Sequence, residues 1–160
     1  MSYSELARAW VRRELVDLDQ EPPSRTFEIY FRALLVCAKV DGELADNERE
    51  WVLGFCAAFG GDDELLDTLR TYPAHERIKE VIAGNPGVQK AGRRSLLFNA
   101  IEACAADGNY ADGERARVRR MAHAMNVPLD EVEQLEALYE EQRALRQKKA
   151  QLLYPDGVPF

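Results

Sequence analysis

The chain has 160 residues, 46% hydrophobic and 31% charged, the balance of a single globular domain rather than a disordered, collagen-like or disulfide-scaffold chain. Its formal charge is −7, from 21 Lys and Arg against 28 Asp and Glu. That sign disfavours nucleic-acid binding, which needs a basic stripe to neutralise phosphates, and suits cations, basic partners or plain solubility. No apolar run approaches the roughly 18 residues of a membrane span. The opening Met1-Ser2-Tyr3-Ser4-Glu5 lacks the basic and apolar regions of a secretory signal. Cys37, Cys56 and Cys104 are odd in number, have no C-x-x-C spacing and lie in apolar stretches, so the expectation is buried free thiols in a reducing cytoplasm.

The periodicity is helical throughout. A first helix is expected from about Ser4 to Leu18, with Leu6, Trp10, Leu15 and Leu18 as its apolar stripe, broken by Pro22-Pro23. Ser24 reads as the N-cap of a second helix carrying Phe27, Tyr30, Phe31, Leu34, Leu35 and Ala38. A third starts near Asp46, presents Trp51, Val52, Phe55, Cys56 and Phe59, and ends at Gly60-Gly61. Two short helices follow, about Asp63–Thr71 and Ala74–Ala83, and then a Gly84-Asn85-Pro86-Gly87 turn. The next helix runs from about Val88 to Ala106 with Leu96, Leu97, Ala100, Ile101 and Cys104 inward. One more spans about Asp112–Met125, with Val118, Met121, Ala122 and Met125 inward, and a last long helix covers about Leu129–Leu153. The expected architecture is one all-α domain, residues 1–160, of seven or eight helices.

Two segments match at an offset of 66. Asp41-Gly42-Glu43-Leu44-Ala45-Asp46-Asn47-Glu48-Arg49 pairs with Asp107-Gly108-Asn109-Tyr110-Ala111-Asp112-Gly113-Glu114-Arg115. Flanking apolar residues keep the register: Leu35 with Ile101, Val52 with Val118, Phe55 with Met121. This self-similarity predicts two helix–loop–helix repeats about a pseudo-twofold axis. The pattern D-G-x-φ-x-x-x-E is the second half of an EF-hand loop, in which Gly turns the chain and the final Glu grips Ca²⁺. The carboxylate positions of the first half fall on Cys37, Lys39, Ala103 and Ala105, so neither loop is an ordinary EF-hand, and a bound ion would need ligands from both.

Two readings of the motif stand side by side. In the first, Asp41, Glu48, Asp107 and Glu114 ligate a divalent cation. In the second, they only shape the loops: Gly42 and Gly108 supply a positive φ, Asp46 and Asp112 cap the following helices, Glu48 and Glu114 favour the helix dipole, and Asp41 and Asp107 make Asx turns. Capping alone does not explain six identities, since caps tolerate Ser, Thr and Asn equally well.

The paired D-G-x-φ-x-x-x-E loops in an all-α chain of this length resemble the TerB-like family of tellurite-resistance proteins, over roughly Thr26–Leu138. The resemblance implies a helical, mainly cytoplasmic domain with a divalent-cation site at Asp41, Glu48, Asp107 and Glu114. It also implies a non-enzymatic role in stress-response or metal-handling complexes near the membrane, with protein partners. Many relatives carry Ser or Thr where Ala45 and Ala111 stand, so the cap is expected to shift to Asp46 and Asp112. The rival is a purely structural interaction domain that never binds metal.

His75 and His123 lack zinc-ligand spacing and read as surface or boundary residues. No nucleophile elbow, phosphate-binding loop or dinucleotide fingerprint appears, which leaves little case for an enzyme. Arg115, Arg117, Arg119 and Arg120 read as a solvated helix face, or alternatively as a docking patch for an acidic partner. Trp10, Tyr154 and Phe160 lie outside the repeat core, and a homodimer contact or docking on the parent domain would bury them.

Overall fold

The computed structural model of the chain describes residues 2–39 and 43–158. Eight α-helices follow one another among them: α1 Tyr3–Val16, α2 Ser24–Ala38, α3 Asp46–Phe59, α4 Asp63–Thr71, α5 Ile78–Ala83, α6 Arg93–Cys104, α7 Asp112–Ala124 and α8 Leu129–Leu153. No strand occurs among the described residues, and none of these helices is long and apolar enough to cross a membrane. The all-α expectation holds.

Local chemistry sets the boundaries. Ser2 caps α1 through a reciprocal box with Glu5, and Asp17, at φ 54°, ends it two residues before the expected Leu18. Ser24 is the first helical residue of α2, not its cap; Pro23 holds the N-cap position, and its carbonyl accepts from the Phe27 N–H at 3.0 Å. The helix expected from Ala74 begins only at Ile78, because Ala74 sits at φ 53° after Pro73. The long helix expected over Val88–Ala106 divides into a π-helical turn, Gly87–Ala91, then α6, then a 3₁₀ turn, Ala105–Asp107. At the first joint the Gly92 N–H reaches the Gly87 carbonyl at 2.9 Å, and a Cβ on Gly92 would stand 3.1 Å from the Val88 backbone. Asn85 braces that turn by accepting from the Val88 N–H at 3.1 Å and donating to Thr26 Oγ1 at 2.9 Å.

The core is continuous. Phe31, Leu34, Leu35 and Ala38 of α2 pack with Val52 and Cys56 of α3, Leu96, Leu97, Ala100 and Ile101 of α6, and Val118 and Ala122 of α7. The register pairs Leu35 with Ile101 and Val52 with Val118 are all fully buried. Helix bounds carry the same offset: α3 and α4 start at Asp46 and Asp63, α7 and α8 at Asp112 and Leu129, and α2 ends at Ala38 where α6 ends at Cys104. Those two ends touch, with the Cys104 thiol donating to the Ala38 carbonyl at 3.8 Å. These bounds are compatible with two repeats. All three cysteines are buried and free.

The apolar stripe expected for α1 does not reach the core. Leu6, Trp10, Leu15 and Leu18 are all exposed, and the helix is held to α3 by buried Arg12, whose guanidinium donates to the Phe59 carbonyl at 3.3 Å. Docking on the parent domain therefore does not bury Trp10, and Tyr154 is also exposed. Phe160 lies outside the described residues.

Candidate metal centre

The two loop motifs lead into the first turns of α3 and α7. Each helix starts with Ala as its N-cap, so Asp46 and Asp112 are the first helical residues and not the caps expected of them. Alanine offers no acceptor, and only the reciprocal half of a capping box forms. Glu48 accepts from the Ala45 N–H at 2.8 Å, and Glu114 from the Ala111 N–H at 2.6 Å. Asp107 makes the expected Asx turn, accepting from the Asn109 N–H at 2.9 Å, and Gly108 takes φ 91° behind it. Asp41 and Gly42 lie outside the described residues.

Caps do not exhaust the geometry. Helix α3 packs against the 3₁₀ turn that ends in Asp107. Glu48 is only 3% exposed. Burial pushes its carboxyl up to about 7; Glu114 and Asp107 push it the same way, against the Ala45 N–H and the Arg117 guanidinium, which favour the anion. Burial also raises the Glu114 carboxyl, with Asp107 adding to the effect against the Ala111 N–H. Glu48 of one loop thus shares an electrostatic neighbourhood with Asp107 and Glu114 of the other. Among the described residues no group of three or more His, Cys, Asp or Glu side chains is arranged to hold a metal ion.

Arg117 is the residue that sequence reasoning missed. It is buried on α7, burial lowers its pKa, and its electrostatic neighbours include Cys104, Arg120, Cys37 and Glu48. Its place one helical turn after Glu114 was the available signal. The arginines of α7 do not form a solvated face. Arg115 and Arg119 both reach buried Glu136 of α8, at 2.9 and 2.7 Å, and the Tyr110 hydroxyl donates to the same carboxylate at 3.3 Å; only Arg120 stays exposed. Burial would raise the Glu136 carboxyl, but the two guanidiniums outweigh it and hold it below the ordinary range.

The recurrent Arg of the motif has a packing role in both copies. Arg49 donates to the carbonyls of Leu69 and Tyr72 at the end of α4, at 2.8 and 3.0 Å, as Arg115 ties α7 to α8. His75 and His123 are exposed as expected, and His75 Nδ1 faces the Lys39 ammonium at 2.9 Å.

No family model matches the chain, and no curated protein matches it. Among solved structures it is similar to a tellurite resistance protein from Nostoc punctiforme PCC 73102, at 39% identity over the whole of both chains, with a TM-score of 0.92. Identity of that order over the full length of both chains, on one fold, places the chain in the TerB-like family of tellurite-resistance proteins.

Proposed function

We propose that this chain is a non-enzymatic, cytoplasmic stress-response module of the tellurite-resistance type. It binds a divalent cation at the two acidic loops through Asp41, Glu48, Asp107 and Glu114, the last three closing on the ion from positions that do not by themselves form a ligand group, and docks onto protein partners. The observation that carries the metal reading is that Glu114 and Asp107 of one loop disfavour the charged form of buried Glu48 of the other. Capping requires one acid per loop and gives no reason for half-buried Glu114 and exposed Asp107 of one loop to act on buried Glu48 of the other. Oxygen donors of this kind suit hard cations such as Mg²⁺, Ca²⁺ or Mn²⁺. The exposed apolar residues Tyr3, Leu6 and Trp10 on α1 support the docking reading.

The test is a thermal scan with Ca²⁺, Mg²⁺, Mn²⁺ and Zn²⁺ against chelator. A site filled at about 100 times its Kd adds roughly 2.7 kcal/mol, a rise of several degrees for a domain of this size. Because Glu48 must ionise to ligate, binding is expected to release a proton and to weaken as pH falls below about 7. A flat response to all four ions would leave the purely structural interaction domain as the better reading.

A further inference from the structure

Helix α8 spans 25 residues, about 37 Å, but buries only Val132, Glu136 and Tyr139. Every residue from 144 to 158 is exposed, so its second half adds nothing to the core. On the side away from the buried residues, Leu138, Leu145 and Leu152 recur at i, i+7 and i+14, and they are 50%, 66% and 72% exposed. The charges along the helix are segregated. Asp130, Glu131, Glu133, Glu136, Glu140 and Glu141 fill the first half without a base, while Arg143, Arg146, Lys148 and Lys149 fill the second without an acid. Glu131, Glu133 and Glu136 pair with arginines of α6 and α7, and Arg146 reaches Glu102 of α6. Among the described residues Glu141, Lys148 and Lys149, which flank the leucine stripe, form no ion pair.

We propose that this face of α8 docks against the same face of a second copy of the chain, antiparallel, about a twofold axis through Leu145. The pattern reads nearly the same in both directions from that residue. Leu138 lies seven positions before it and Leu152 seven after; Glu141 lies four before and Lys149 four after; Gln142 lies three before and Lys148 three after. Antiparallel pairing sets each Leu138 against the partner's Leu152 and each Glu141 against the partner's Lys149, and it does so twice by symmetry. Parallel pairing would oppose Glu141 to Glu141 and Lys149 to Lys149, which the like charges forbid. One leucine per heptad makes a narrow seam, so the dimer is a reversible one with a Kd on the order of micromolar.

Sedimentation velocity of the full chain over roughly 1–500 μM is expected to show a monomer–dimer equilibrium that weakens with added salt. Leu145→Glu is expected to abolish it, and the exposure of Leu145 leaves folding untouched, as circular dichroism would verify. Glu141→Lys and Lys149→Glu should each weaken the dimer by about tenfold or more, and the double swap should restore it to within about threefold. Orientation is read by cross-linking. A mixture of Leu138→Cys and Leu152→Cys chains should form disulfides, while Leu138→Cys alone should not, its two sulfurs being about 21 Å apart along the axis. A monomer at every concentration, a dimer indifferent to Leu145→Glu, a double swap without rescue, or self-cross-linking of Leu138→Cys would each overturn the assignment.

Discussion

Glu48 answers two demands that pull its carboxyl in opposite directions. The Ala45 N–H wants an acceptor, while burial beside Glu114 and Asp107 disfavours a charge. Its pKa in the folded chain, about 7, stands above the ordinary 4.5. The sign follows by linkage: the stability this group contributes is complete below about pH 4.5 and is lost as pH rises through 7. Gln keeps the acceptor and drops the charge. Glu48→Gln is therefore expected to match the parent near pH 4.5 and to exceed it by roughly 1–3 kcal/mol at pH 8 without metal, measured by denaturant unfolding across pH. Asp107 gives the complementary experiment. Asp107→Asn keeps the Asx turn onto Asn109, so apo stability should hold or rise, while the response to the best cation disappears. Asp107→Ala should cost about 0.5–2 kcal/mol without the ion, by analogy with lost caps, and more with it, since the response to the cation is lost as well. Full retention of the metal response in Asp107→Asn would remove Asp107 from the ligand set.

At the scale of elements, α7 and α8 are joined by one buried acid shared between two guanidiniums. Glu136→Ala leaves Arg115 and Arg119 facing each other, though both are about a third exposed and can recover water. The expected loss is about 2–3 kcal/mol, less than the full cost of stranding a buried charge, and calorimetry should find it little changed by salt. The residue pattern of α7 shows why this was hard to see beforehand. Val118, Met121, Ala122 and Met125 identify the inward stripe correctly, but arginine is long enough to leave an outer position and reach a neighbouring helix. The same limit applies to α1. Periodicity reports that Leu6, Trp10, Leu15 and Leu18 can share a surface, not that the surface belongs to this chain, and the side that docks is held by Arg12. Helix ends were legible where a glycine stopped the pattern, as at Gly60. They slipped where the break was a change of hydrogen-bond register, as in the π turn closed by Gly92, because the side-chain pattern continues across it.

Across the whole molecule, the offset of 66 proved the most informative feature of the sequence. It marked which loops would carry acids, and the matched starts of α3 and α7 bring Glu48 and Glu114 to equivalent first turns. It could not show that Arg117 enters the same neighbourhood, since the equivalent position in the other half is Trp51 and the halves differ there.

The three buried thiols give the folded chain a built-in clock. Cys37, Cys56 and Cys104 sit on α2, α3 and α6, helices that share one core, and burial pushes the first two up to about 12 and raises the third as well. With almost no thiolate at neutral pH and no path for a reagent, each sulfur can react only when its helix opens. If these helices open as one unit, a disulfide reagent such as Ellman's should label all three with a single slow rate. That rate should follow the stability of the whole domain under denaturant. The domain would then tolerate oxidants for as long as it stays folded and lose all its thiols together once it does not.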